Sequence, residues 1–154
     1  MANPVEWGPL LWKIIHHCCE HLGKHTKPLL QADEMNAYKM FVLRIGTVLP
    51  CVVCRKHFSS YYLKRKRDVT YAELKQYAKQ YFYDLHEEVN KEKGIASYGF
   101  ENLSIYRAIT KQELNELVKE FEKLFQKYIL YHFIHPNAVK DFLSSLRFLR
   151  VAIM

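Results

Sequence analysis

Two cysteines in the stretch Leu49-Pro50-Cys51-Val52-Val53-Cys54-Arg55-Lys56-His57 form the C-x-x-C of this chain. Pro50 stops whatever precedes it, and Phe58, Tyr61, Tyr62 and Leu63 follow with helical apolar spacing, so both cysteines are expected in the first turn of a helix. Positions three apart share a helix face, with Cβ atoms about 5–6 Å apart, a gap that a disulfide can close with modest adjustment. The free N–H groups of a helix start favour thiolate over thiol, and Arg55, Lys56 and His57 add cationic groups nearby. The pattern suits a disulfide that opens and closes.

The same pair of cysteines could serve other chemistries. Zinc in a structural site needs four ligands. Candidates beyond the pair are His57, the adjacent Cys18 and Cys19, which point to different helix faces, and His16, His17, His21 and His25. His17, His21 and His25 recur every four residues, although such a row is more often a solvated face. A thioredoxin-like motif needs a βαβ context, whereas a helical pattern precedes Cys51. Covalent haem attachment needs His directly after the second cysteine, and Arg55 stands there. A buried structural pair is the bland alternative.

The elements that must position the pair read as helices. Trp7 to His25 carries Leu11, Ile14, Ile15, Cys18 and Leu22 on one stripe, with Pro9 in its first turn and Gly23 near its end. On a second line of that helix lie Gly8, Trp12 and His16, four apart, where the missing Cβ of Gly8 permits close approach. Asp33 to Val48 turns Tyr38, Phe41, Val42, Ile45 and Val48 inward. After the helix from Cys51 to about Lys64, Thr70 and Glu73 form a capping-box pattern that opens a helix to about Lys93, closed by Gly94. His86 and Asn90 share a face there. Residues 95–109 read as irregular. Thr110 with Glu113 starts another helix, which His135-Pro136 breaks, and Asn137 is expected to cap a last one to about Val151.

Bulk properties narrow the classes. At 154 residues one domain is the default, and only 5 Gly and 5 Pro leave little turn material for an all-β fold. The net charge is +7, concentrated in Lys64-Arg65-Lys66-Arg67. That run is read as a solvated helix end and loop, not as a nucleic-acid site. Four cysteines are too few for a secreted disulfide scaffold. No cationic start with an apolar region marks a signal peptide, and no apolar run is long enough to span a membrane, so a cytosol-like compartment is expected.

The segments Trp7-Gly8-Pro9-Leu10-Leu11-Trp12-Lys13-Ile14-Ile15-His16, Leu49-Pro50-Cys51-Val52-Val53-Cys54-Arg55 and His86-Glu87-Glu88-Val89-Asn90 resemble, in order and spacing, the W-G-x-x-x-W-x-x-x-H, P-C-x-x-C and H-x-x-V-N segments of the Erv/ALR family of FAD-dependent sulfhydryl oxidases. The likeness covers about residues 5–100 and is greatest to the short viral members of poxviruses, asfarviruses and iridoviruses. It implies an all-α fold: a four-helix FAD-binding bundle over residues 1–100, with residues 101–154 as a helical extension packed on the same domain. It implies FAD lined by Gly8, Trp12 and His16, with His86 and Asn90 on the adenine and ribose side and Lys93 near the phosphates. Cys54 would lie beside the isoalloxazine, and Cys51 would be the outer sulfur attacked by a substrate thiolate. Electrons would pass from a partner protein dithiol or small redox carrier protein through FAD to O₂, giving H₂O₂, with no metal involved. A homodimer, action in host cytoplasm or virion, and a role in virion assembly follow from the same likeness. The competing function is a zinc-binding or helical protein-interaction module without catalysis. The chain departs from the family in lacking a second, shuttle C-x-x-C and the cysteine pair usual after H-x-x-V-N, and in carrying Glu87 where Asn is common.

Overall fold

A computed structural model describes residues 2–153. Among these the chain forms six α-helices and one run of 3₁₀ turns, with no strand. Helix α1 spans Pro4–Glu20, α2 Pro28–Val48, α3 Val52–Arg65 and α4 Tyr71–Glu92; after the 3₁₀ run Phe100–Ala108 come α5, Lys111–Leu130, and α6, Pro136–Ile153. No helix of the described residues is long and apolar enough to cross a membrane.

Several helix ends differ from the sequence reading, each for a local reason. The Asn3 side chain accepts the Val5 N–H at 3.0 Å, and Pro4 takes the first turn, so α1 begins before Trp7 and Pro9 lies inside the helix. α1 ends at Glu20. Gly23, at φ +82°, donates its N–H at 2.9 Å to the buried Glu34 carboxylate, which draws the chain off the helix axis toward α2. Pro28, not Asp33, opens α2. At the last helix Pro136 is the first residue instead of a break, because the His135 ring accepts the Asn137 N–H at 3.0 Å and does the capping expected of Asn137.

The α4 boundaries follow the expected chemistry. Glu73 reaches back to the Thr70 N–H and hydroxyl, at 3.4 and 2.8 Å. At the other end Ile95 N–H bonds the Asn90 carbonyl at 2.8 Å and Gly94 N–H the Lys91 carbonyl at 3.2 Å, with Gly94 at φ +70°. This Schellman closure fixes Lys93 at the helix end. The basic run at the end of α3 stacks on aromatics, with Arg65 3.8 Å from the Tyr61 ring centroid and Arg67 4.6 Å from that of Tyr77.

Helices α1–α4 make the bundle, while α5 lies along α1 and α6 along α2. Phe142 of α6 meets Phe41 of α2 and Phe121 of α5, with ring centroids 5.7 and 5.2 Å apart, and Phe121 stacks on Phe125 at 3.9 Å. The irregular stretch is pinned to α1 by charge. Glu20, 1% exposed, takes Lys79 of α4 at 2.8 Å and Arg107 of the 3₁₀ run at 3.1 Å.

Phe142 is fully buried where α2, α5 and α6 meet. Replacing it by Ala leaves a cavity there, and Phe142→Ala is expected to cost about 3–5 kcal/mol in urea unfolding; a cost below about 1 kcal/mol would show that α6 is not part of one core.

Candidate active site

α2 ends at Val48, Pro50 prevents its continuation, and the Arg55 guanidinium donates to the carbonyl of Leu49. That bond ties the start of α3 to the end of α2 and sets the corner between them. Cys51 falls on the corner, outside α3, with extended backbone (φ −151°), and its sulfur accepts the Cys54 N–H at 3.3 Å. Cys51 is therefore a helix cap and not a first-turn residue. It is also the more buried of the two, 4% exposed, while Cys54 is partly exposed. Both are free thiols.

The thiolate bias read from the helix start is overturned for this reduced pair. Burial, then the hydrogen bond and proximity of the Cys51 sulfur, push the Cys54 thiol up to about 12, and the opposing pull of Lys93 is smaller. The Arg55 charge is directed at Leu49 instead of the sulfurs.

Cys54 forms part of the wall of a cavity of about 210 Å³ enclosed by α1, α2, α3 and α4. From α1 come Pro4, Trp7, Gly8, Leu11, Trp12 and Ile15; α2 and its end add Ile45 and Leu49; α3 adds Val53, His57 and Phe58; and α4 adds Leu85, Val89, Glu92 and Lys93. A Cβ added at Gly8 would meet nothing within 4 Å, so the wall is open at that point. The Trp7 indole N–H is buried without an acceptor, an arrangement that costs free energy until an acceptor arrives. A flat, largely apolar ring with acceptor atoms on its edge meets these conditions, and Lys93 supplies a cation for an anionic tail. The residues fit a dinucleotide flavin. A larger hollow of about 530 Å³, between α2, α3 and α4 near the basic run, contains no cysteine.

Of the eight residues singled out in the sequence, the cavity gathers Gly8, Trp12, Cys54 and Lys93. His16 and His86 stand outside its lining and are joined to it by Trp12. The Trp12 ring lies on His86 with centroids 3.9 Å apart and planes 6° from parallel, and His16 Nε2 is 3.0 Å from His86 Nδ1. That bond needs one hydrogen between two nitrogens, and burial holds both rings neutral, pushing His16 down to about 3 and His86 to about 4. Asn90 is buried and absent from the lining, and its carbonyl closes α4. Cys51 adjoins the wall through its bond to Cys54. Glu87, the departure from the family pattern, accepts the Tyr98 N–H at 3.1 Å and so anchors the lead-in to the 3₁₀ run.

Sequence reasoning missed Trp7 as a contact, placed Leu11 and Ile15 correctly in the core but not on the cavity wall as well, and left His57 among possible metal ligands. Trp7 and Leu11 are one turn apart, and His57 is one turn beyond Cys54; that spacing was the available signal. Cys18 and Cys19 are buried in the core, where burial raises both thiols. Among the described residues no three His, Cys, Asp or Glu side chains gather as a metal site.

An all-α bundle that brings one sulfur of a C-x-x-C onto an apolar, aromatic cavity defines a thiol-redox flavoprotein. The residue pattern of the Erv1/Alr family matches residues 9–107. FAD-linked sulfhydryl oxidase 347L, a protein so named from Invertebrate iridescent virus 6, is 29% identical over 92 residues, 57% of this chain and 79% of that protein. No solved structure matches. The chain belongs to the Erv1/Alr family, the FAD-linked sulfhydryl oxidases. The match runs from α1 to the 3₁₀ run and leaves α5 and α6 outside.

The histidine pair gives stability a pH dependence of definite sign. Folded His16 and His86 titrate below the ordinary 6.5, so the unfolded chain binds more protons in acid. The stabilisation is complete above pH 6.5 and is lost as pH falls toward 3–4. Between pH 6.5 and 5, where carboxylates stay ionised, the urea midpoint is expected to fall, and His16→Asn should flatten the slope; a flat parent profile would contradict neutral burial of the pair.

Proposed function

We propose that Cys51 and Cys54 alternate between dithiol and disulfide, taking electrons from a partner protein dithiol, with Cys54 as the sulfur facing FAD and Cys51 as the one the substrate attacks. The observation that carries this reading is the position of Cys54 on one wall with Trp7, Gly8, Trp12 and Lys93. Bound FAD supplies a two-electron acceptor that returns the electrons to O₂ as H₂O₂.

The chain's own residues do the rest. A substrate thiolate attacks Cys51 of the disulfide; the S–S bond breaks and its electron pair goes to Cys54. The second substrate thiolate then attacks the first substrate sulfur, which is bonded to Cys51; the substrate disulfide forms and Cys51 leaves as a thiolate. Val52 and Val53, 52% and 70% exposed, offer apolar contact to the arriving segment. Electrons come from the partner dithiol, a small redox carrier protein included.

Around the cofactor, Gly8 leaves room for the ring plane and the Trp7 N–H awaits an acceptor on its edge. Lys93 is assigned to the pyrophosphate; the Schellman closure of α4 keeps it at the rim. His86 and Asn90 are assigned to the adenine and ribose side, while Trp12 and His16, stacked with His86, are assigned to line the cofactor from α1. Residues 101–154 are read as an extension sharing the core of residues 1–100, supported by the packing of α5 on α1 and α6 on α2. Similarity to an iridovirus protein supports oxidation of virion proteins in host cytoplasm, or action in the virion, as the setting.

A visible absorption scan and an oxygen electrode test the reading. Purified protein should be yellow and consume O₂ with dithiothreitol. Cys54→Ser should keep the flavin band and fall to background turnover. Colourless protein with stoichiometric zinc, or a Cys54→Ser variant that still turns over, would exclude the scheme.

A homodimer is part of the same proposal. Leu29, Leu30, Met40, Phe148 and Val151 are exposed on α2 and α6 and supply apolar surface for it. Sedimentation at micromolar concentration should give twice the 18.4 kDa chain mass; a single-chain mass removes the dimer.

A further inference from the structure

The reduced pair poses a proton problem. Cys54 leaves the opened disulfide as a thiolate and passes electrons on in that form, yet in the reduced pair burial and the neighbouring sulfur favour the protonated thiol. The cavity wall contains a group able to take the proton.

His57 is three residues beyond Cys54 on α3, so the two side chains share a helix face with Cβ atoms about 5–6 Å apart. Both line the same cavity. His57 Nε2 is 2.7 Å from Glu88 Oε1. A carboxylate only accepts, so this bond puts the hydrogen on Nε2 and leaves Nδ1 of the neutral ring with a free lone pair. The other Glu88 oxygen is 4.0 Å from Arg65, which restrains the carboxylate. The His57 side chain is 25% exposed, so a proton taken from the cavity has a way to solvent.

We infer that His57 is the proton acceptor for Cys54 in this oxidase, and that Glu88 is a positioning residue that sets the tautomer and orientation of the ring. Glu88 holds His57, and His57 shares the cavity wall with Cys54, the same three kinds of group that an activated thiol uses. One proton moves from Cys54 Sγ to His57 Nδ1. The electron pair of the S–H bond stays on sulfur, no group is oxidised or reduced, and the imidazolium comes to rest between the Glu88 carboxylate and the new thiolate. The charged and titratable groups around it are few. The corner before α3 contributes Cys51, α3 contributes Cys54, Tyr61 and Arg65, α4 contributes Glu88, Glu92 and Lys93, and the α1 and α2 walls of the cavity contribute none. The inference rests on the proposed function only in taking Cys54 as the reacting sulfur.

The test reads the sulfur itself. In full-length Cys51→Ser protein, where Ser retains the helix cap, iodoacetamide alkylation of Cys54 is followed from pH 5.5 to 10 by mass spectrometry of its peptide, which separates it from Cys18 and Cys19. Adding His57→Gln should slow alkylation about tenfold at pH 7 and move the profile to higher pH. Adding Glu88→Gln, which leaves α3 unchanged, should slow it by less in the same direction. Superposition of either variant's profile on the parent's overturns the inference, and if His57→Gln fails to fold, Glu88→Gln decides it alone. The measurement requires neither flavin nor turnover. A yellow, active enzyme with an unaltered His57→Gln profile sinks only this inference, whereas a colourless protein with a shifted profile sinks the flavin reading and leaves the proton acceptor standing.

Discussion

The structure depends on the corner at Leu49–Cys51. A proline cannot continue α2, and the chain must leave the helix with the last carbonyls of α2 and the first N–H groups of α3 unpaired. Arg55 answers the first need through the Leu49 carbonyl, and the Cys51 sulfur answers part of the second through the Cys54 N–H. One consequence is that the two sulfurs are not equivalent. Cys51 is held inward as a cap, and Cys54 is turned onto the cavity wall. Sulfur is a weak acceptor, so the cap is a soft restraint of the sort a residue that must later change partners can have.

α1 is the helix on which the rest converges. One side carries Trp7, Gly8, Leu11 and Trp12 to the cavity, another packs on α5, and its C-terminal turn holds the buried Glu20 between Lys79 and Arg107. A buried carboxylate is stable only when its partners are in place. Glu20 therefore fixes α4 and the 3₁₀ run relative to α1, and through α4 it fixes where Lys93 stands. Tyr128 and Lys127 of α5 reach Glu6 near the start of α1, at 3.1 and 3.2 Å. The C-terminal helices thereby support the helix that carries most of the cavity wall.

The electrostatics of the site are those of a dry pocket. Burial suppresses charge on His16, His86 and Cys54 alike. For the two histidines this is useful, since a neutral, hydrogen-bonded pair holds Trp12 flat without drawing an ion into the core. For the thiol it is an obstacle, because the reaction needs the ion. The chemistry therefore depends on the groups at the wetter rim of the cavity, His57 with Glu88 and the cation of Lys93.

Much of this was legible in the residues themselves. Periodicity named the inward face of α2, the Thr70–Glu73 and Thr110–Glu113 spacings named two helix starts, and Gly94 named a stop, because caps and apolar stripes are local and short-range. The three family segments named the class of chemistry. Tertiary structure decided what local pattern leaves open. Leu11 and Ile15 are core residues that also line the cavity, a second place that sequence hides because an apolar side chain facing a cavity and one facing a neighbouring helix have the same periodicity. Gly23 looked like a helix stop, but the chain had already left α1 at Glu20, and Glu34, eleven residues on, holds the glycine's N–H. The family segments gave Cys51 and Cys54 different roles; the burial of Cys51 and the place of Cys54 on the cavity wall are what the tertiary structure adds. Helix-start geometry alone favours the thiolate, and it took the surrounding walls to reverse that preference, since desolvation is a property of everything packed around a group and not of its neighbours along the chain.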